Sequence, residues 1–114
     1  MRRSGLALLG FLLFATPTWA AQNVLTWTDN SNNETNFNIE RKADYCPGGV
    51  PFVEIAIVGA NVTTYTDTAV TEGATYCYRV AASNAVGKSA YSNLAGRTVP
   101  GTIPAAPSNL EIVP

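Results

Sequence analysis

From residue 23 onward the chain is a succession of short runs in which apolar and polar positions alternate, and no window keeps an apolar stripe at helical spacing. β-Branched and aromatic residues fill these runs, and Asn, Asp, Gly, Pro and Ser separate them, which is the signature of strands and turns. The first run, Asn23 to Thr28, puts Leu25 and Trp27 on one face and stops in the polar cluster Asp29 to Asn36. The second, Phe37 to Lys42, sets Phe37 and Ile39 against Asn38, Glu40 and Lys42, the pattern of a half-buried strand. Cys46-Pro47-Gly48-Gly49 marks a turn. Phe52 to Val58 follows, apolar on both sides, so its inward face stays open until Gly59-Ala60-Asn61 ends it. Val62 to Thr68 is a Thr-rich strand carrying Tyr65. After a turn at Val70 to Ala74, the run Thr75 to Ala82 puts Tyr76, Tyr78, Val80 and Ala82 on one face and Cys77, Arg79 and Ala81 on the other. Ser83 to Ser89 reads as a hairpin loop and Tyr91 to Val99 as the source of a last strand. Six strands with turns at roughly 8- to 12-residue intervals predict an all-β antiparallel sandwich.

The segment ahead of these runs has a different grammar. Met1-Arg2-Arg3 is a basic start, Leu6 to Ala15 a short apolar run, and Thr18 and Ala20 are small residues suited to cleavage before Ala21. The apolar run falls short of the ~20 residues a membrane helix needs. Residues 1–20 are therefore expected to be a signal peptide, and the mature chain to be secreted or periplasmic with no membrane insertion. Cleavage takes Arg2 and Arg3 and leaves Arg41, Lys42, Arg79, Lys88 and Arg97 scattered, without a stripe to neutralise successive phosphates, which argues against nucleic-acid binding. The chain has no histidine, the commonest general base and metal ligand, and two cysteines alone make no zinc site. No cofactor and no catalysis are expected. In an exported chain Cys46 and Cys77 read as a disulfide.

Leu25-Thr26-Trp27, Phe37-Asn38-Ile39-Glu40-Arg41, the stretch Gly73 to Asn84 and its closing Gly87-Lys88-Ser89-Ala90-Tyr91-Ser92-Asn93 together resemble the fibronectin type III domain over about residues 23–97. The resemblance implies an immunoglobulin-like sandwich of six to seven strands with a core of Leu25, Trp27, Phe37, Ile39, Tyr65, Tyr76, Tyr78 and Val80. It makes Tyr76 a tyrosine corner. It also sets the strand of Ile39 beside that of Val80, which brings Cys46 to Cys77 on the solvent face, where a bridge stabilises by about 3 to 4 kcal/mol in the chain-entropy model. The loop Asn84, Ala85, Val86, Gly87 and Lys88 occupies the place where some relatives carry an integrin-binding Arg-Gly-Asp. That tripeptide is absent, and the loop is retained as a candidate contact site. Core packing is the expected role of the inward aromatics, with Tyr45, Phe52 and Tyr91 the candidates for exposed rings. The carboxylates Asp29, Glu34, Asp44, Glu54, Asp67 and Glu72 are assigned to turns.

The resemblance also implies a first strand about ten positions ahead of Leu25, and cleavage before Ala21 leaves no room for one. A segment similar to such a strand stands at the other end, in residues 103–113, with Leu110 and Ile112 as the residues of a candidate donated strand. The expected organisation is thus a signal peptide at 1–20, a domain at 21–97 lacking its usual first strand, and a Pro-rich linker and strand at 98–114. Three readings of the tail stand side by side: the start of a further domain in a longer array, a strand folding back on its own domain, or one donated to the next molecule in a head-to-tail assembly. The functional expectation is a non-catalytic binding or spacing module with a protein, cell-surface or polysaccharide partner. The rival expectations are a carbohydrate-binding or accessory module of a secreted glycoside hydrolase, and a strand-donating subunit that self-associates through its C-terminal strand.

Overall fold

The computed structural model describes residues 20–114, so the expected signal peptide lies, save Ala20, outside the described residues. Six strands follow one another: β1 (Asn23–Thr26), β2 (Asn36–Lys42), β3 (Val53–Gly59), β4 (Thr64–Asp67), β5 (Thr75–Ser83) and β6 (Ala95–Thr98). All pairings are antiparallel. They form a two-stranded sheet, β1-β4, and a four-stranded sheet in the order β3-β2-β5-β6. This is the sandwich expected from the alternation of the runs. Among the described residues no helix is long and apolar enough to cross a membrane.

The core lies between the sheets. Phe37 and Ile39 from β2, Tyr76, Tyr78 and Val80 from β5, and Val99 just past β6 are buried together, with Leu25, Trp27 and Tyr65 of the small sheet packed against them and only half-buried. The rings of Trp27 and Phe37 meet at 5.7 Å between centroids in a tilted contact. The face of β3 left open by the sequence is settled by a bulge. Register shifts between Ile39 and Glu40, and Ile55, Ala56 and Val58 turn toward the core while Val53 and Ile57 stay exposed. Val99 is 2 % exposed and exchanges backbone hydrogen bonds with Gly73 and Ala74, and Thr98 pairs with Thr75. The sheet and core therefore run to Val99, two residues beyond the boundary drawn at 97.

Tyr76 sits at a corner whose geometry the backbone explains. Ala74 N–H bonds Thr71 O across a tight turn, Gly73 takes φ +80° in it, and the Tyr76 hydroxyl accepts from Thr71 N–H at 2.9 Å. The corner joins the end of the small sheet to the start of β5.

Two expectations are corrected. β2 is buried on both faces: Asn38, Glu40 and Lys42, assigned to solvent, are 8, 7 and 5 % exposed. The disulfide of Cys46 and Cys77 forms, but Cys77 is fully buried instead of lying on an open face. The 44–52 loop covers Lys42 and Cys77 and Tyr91 caps Glu40, while Asn38 is held between Glu54 and Ser83 of the neighbouring strands.

Candidate functional site

The covered outer face of the large sheet is built around a single carboxylate. Glu40 on β2 stands opposite Arg79 on β5, whose Nε and Nη2 reach the same carboxylate oxygen at 2.8 and 2.7 Å. The Tyr91 hydroxyl donates to the other oxygen at 2.9 Å, and Lys88 Nζ approaches it at 3.6 Å. Burial opposes the charged form of Glu40, but the hydrogen bonds from Arg79 and Tyr91 and the nearby positive charges outweigh it and hold the carboxyl below its ordinary range. The Arg79 guanidinium in turn packs 4.1 Å from the Phe52 ring centroid and 3.7 Å from that of Tyr91. Lys42 is spent on the loop above, donating to Cys46 O and Gly48 O at 2.7 and 2.5 Å.

A second polar cluster joins the two sheets from inside. Asp67 at the end of β4 is 2 % exposed and accepts from the Tyr78 hydroxyl at 2.7 Å, from Arg41 Nη1 at 2.8 Å and from Ala69 N–H at 3.1 Å. Asn23 Nδ2 donates to the same Tyr78 oxygen at 2.9 Å, and Arg97 Nη1 to Asn23 Oδ1 at 3.2 Å. Burial raises the Asp67 carboxyl, yet Tyr78, Arg41 and Ala69 together lower it below its ordinary value. Burial, reinforced by the Asp67 charge, pushes the Tyr78 phenol up to about 12. Glu34, also assigned to a solvated turn, is buried and accepts from the Ser31 hydroxyl at 2.6 Å and from Asn61 N–H at 3.1 Å, and the Ser31 bond leads the effects that lower it.

The sequence assigned Asp67 and Glu34 to turn solvation and passed over Glu40 and Arg41. The available signal was the alternation itself: carried one step past Ile39, it turns Arg41 inward toward β4. Arg41 also lies 5.1 Å over the Tyr76 ring.

The loop at 84–88 is shaped by its first residue. Asn84 Oδ1 accepts from Val86 and Gly87 N–H, Asn84 N–H bonds Gly87 O, and Ser83 bridges Lys88. Asn84 Nδ2 fastens the loop to Asn33 O at 3.1 Å. Ala85 and Val86 form the tip, with Val86 96 % exposed. Of the three candidate aromatics Tyr45 is 60 % and Tyr91 39 % exposed, and Phe52 is half-buried. Phe52 and Tyr91 both pack against the Arg79 guanidinium. Between β1 and β6 lies a cleft of about 720 Å³ walled by Leu25, Trp27, Tyr78 and Arg97, and a second of about 370 Å³ continues past Trp27 toward Phe37 and Tyr91. Leu110 and Ile112 are placed in neither. Residues 100–114 form no strand and are exposed throughout.

No protein-family model matches the chain, and no curated protein matches it. Solved structures do. A fibronectin type III domain derived from the human KIAA0970 protein aligns over 95 % of this chain and 90 % of its own length, at 14 % identity and a TM-score of 0.60. The pectate lyase Pel3 of Pectobacterium carotovorum aligns over 80 % of this chain at 23 % identity and a TM-score of 0.59, and the twitchin kinase region of C. elegans over 75 % at 23 % and 0.60. The chain spans only 27 % of the former and 15 % of the latter. At these identities the likeness is one of fold, and the fold is that of fibronectin type III.

Proposed function

We propose that this fibronectin type III fold serves as a non-catalytic contact or spacing module outside the cytoplasm, presenting the 84–88 loop to a protein partner. The observation that carries the reading is the internal use of the buried carboxylates. Glu40, Asp67 and Glu34 are each engaged by side chains or amides of the domain itself and held in the charged form. A general acid needs a raised pKa and an open approach, and these groups have the opposite. The disulfide supports an oxidising compartment. A loop pinned by Asn84 and Asn33, with an apolar tip, offers contact at low ordering cost.

A second reading, an accessory module of a polysaccharide-degrading enzyme, is favoured by the likeness to the pectate lyase Pel3. Affinity electrophoresis in gels containing polygalacturonate separates the two. Unchanged mobility supports the contact-module reading; retardation that is lost in Tyr45→Ala overturns it in favour of the accessory module. A photo-crosslinker at position 86 in the exported chain is expected to give a discrete protein adduct, and one at the exposed Thr66 is not. Equal labelling at both positions would remove the loop from the interface.

A further inference from the structure

The β1-β4 sheet has an edge that the described residues leave unpaired, and the chemistry of that edge can be read strand by strand. Trp27 N–H bonds Thr63 O, and in an antiparallel pair alternate residues turn their backbone groups toward the partner. Leu25 therefore faces β4, while the N–H and C=O of Val24 and Thr26 point the other way, along the rim of the 720 Å³ cleft. Inside that rim Leu25 and Trp27 form the inward row. Both are only half-buried, and the Trp27 indole N–H, buried in the wall, has no hydrogen-bond partner among the described residues. Such an edge is a template for another strand.

The same molecule carries a segment with the matching pattern. Leu110 and Ile112 are 96 and 95 % exposed, they stand two positions apart so that both side chains fall on one face of a strand, and Val113 beside them is 85 % exposed. Pro107 precedes the segment and Pro114 ends it, which confines pairing to about the length of the four-residue β1. Transfer of each of these side chains out of water is favourable. The tail does not take that gain on its own domain. It leaves from Val99, is held at Thr102 by the Glu72 carboxylate at 2.9 Å, and then runs exposed to its end.

We propose that the open edge of β1 is completed by residues 110–113 of a second copy of this chain, with Leu110 and Ile112 entering the cleft beside Leu25 and Trp27. Because the donated strand and the receiving edge are different surfaces, the contact is head-to-tail and propagates into open chains of subunits. The shared surface is one short strand, so association is weak and depends on concentration.

The test uses the whole chain and two variants. Light scattering from micromolar to millimolar protein is expected to show a mass that climbs past the dimer, while Leu110→Asp/Ile112→Asp stays monomeric. Its two sites touch nothing in the domain, so its thermal unfolding at low concentration is unchanged. Thr26→Pro removes one rim N–H and leaves the bonds to β4; it is also monomeric, and mixing the two variants gives a heterodimer that grows no further. Amide exchange at Val24 and Thr26 slows at least about tenfold with concentration in the parent chain and not in the tail variant. A strictly monomeric parent, a closed dimer, or assembly that survives Leu110→Asp/Ile112→Asp overturns the proposal. So does protection at Val24 and Thr26 that is already present in dilute protein, which would mean the edge is covered from within the same chain. If Thr26→Pro fails to fold, the tail variant and the exchange measurement decide the question alone.

Discussion

The hydroxyl of Tyr78, on β5, donates to Asp67, on β4, at 2.7 Å, and through this bond the two sheets are tied by a buried polar contact. Arg41 completes the pair from β2. Removing the hydroxyl in Tyr78→Phe leaves Asp67 with Arg41 and Ala69, and Asn23 without its acceptor, a loss expected to be about 1 to 3 kcal/mol. Asp67→Ala strips Arg41 of its counter-charge and is expected to cost more, about 3 to 5 kcal/mol. Urea denaturation of both variants, with the slope unchanged, checks the order. Equal losses would mean that the arginine escapes to water when its partner goes.

The same contact sets the stability profile at both ends of the pH scale. Asp67 and Glu40 have folded-state pKa values below their unfolded values, so their contribution is complete above the unfolded pKa of about 4 and is lost as pH falls through the folded values. Tyr78 has the opposite sign. Its folded pKa of about 12 exceeds the unfolded value of 10.0, so its contribution is complete below 10 and is lost as pH rises toward 12. A plateau in melting temperature between about pH 5 and 9.5, with a fall on each side, is expected. In Tyr78→Phe the alkaline fall is expected to shrink, and the acid one to shrink in part, because Asp67 loses a bond that lowers its pKa while Glu40 keeps its own partners; differential scanning calorimetry resolves both changes.

The sandwich was legible because each inward row, such as Phe37 and Ile39 or Tyr76, Tyr78 and Val80, is written in residues two apart, and burial of one face enforces that period. The outer face of the large sheet was not. Asn38, Glu40 and Lys42 alternate as a solvated face does, yet Asn38 is held between Glu54 and Ser83, and Glu40 and Lys42 are covered by the groups of Phe52, Arg79 and Tyr91, the rings lying 12 and 51 positions from Glu40. Local alternation reports which residues share a face; it cannot report whether a distant loop covers that face. Asp67 was misread for a related reason. It sits in a Thr-rich strand end that looks like a turn, and its true partners, Arg41 and Tyr78, come from the opposite sheet.

Arg79 is the residue through which that cover is attached. Arg79→Ala removes the charge-assisted bonds to Glu40 and the contacts to both rings, leaving a 7 % exposed carboxylate with Tyr91 and a distant Lys88. A loss of about 2 to 4 kcal/mol is expected, together with a rise of the Glu40 pKa toward its unfolded value that shrinks its share of the acid fall. Arg79→Lys keeps the charge but not the planar fork, and is expected to recover less than half of the loss. Full recovery by lysine would reduce the site to a simple charge pair.

Gly96 gives the sharpest test of how the disulfide is seated. It lies on the exposed edge strand β6 opposite Cys77, and a Cβ there would stand 2.9 Å from Cys46 Sγ and 3.4 Å from Tyr76 O. Glycine is thus required by the sulfur above it and not by its own backbone angles. Gly96→Ala is expected to cost about 1 to 3 kcal/mol in the oxidised protein, since a wedge between the strand and the bridge must displace one of them. Cys46→Ala/Cys77→Ala costs about 3 to 4 kcal/mol by freeing the unfolded chain. Combined, the two changes are expected to be less damaging than their sum by roughly the whole Gly96 penalty, because with the sulfur gone the Tyr76 carbonyl at 3.4 Å is an ordinary contact. A double-mutant cycle in urea measures this coupling. Strict additivity would place the intolerance of position 96 in the strand itself and free the disulfide of any part in it.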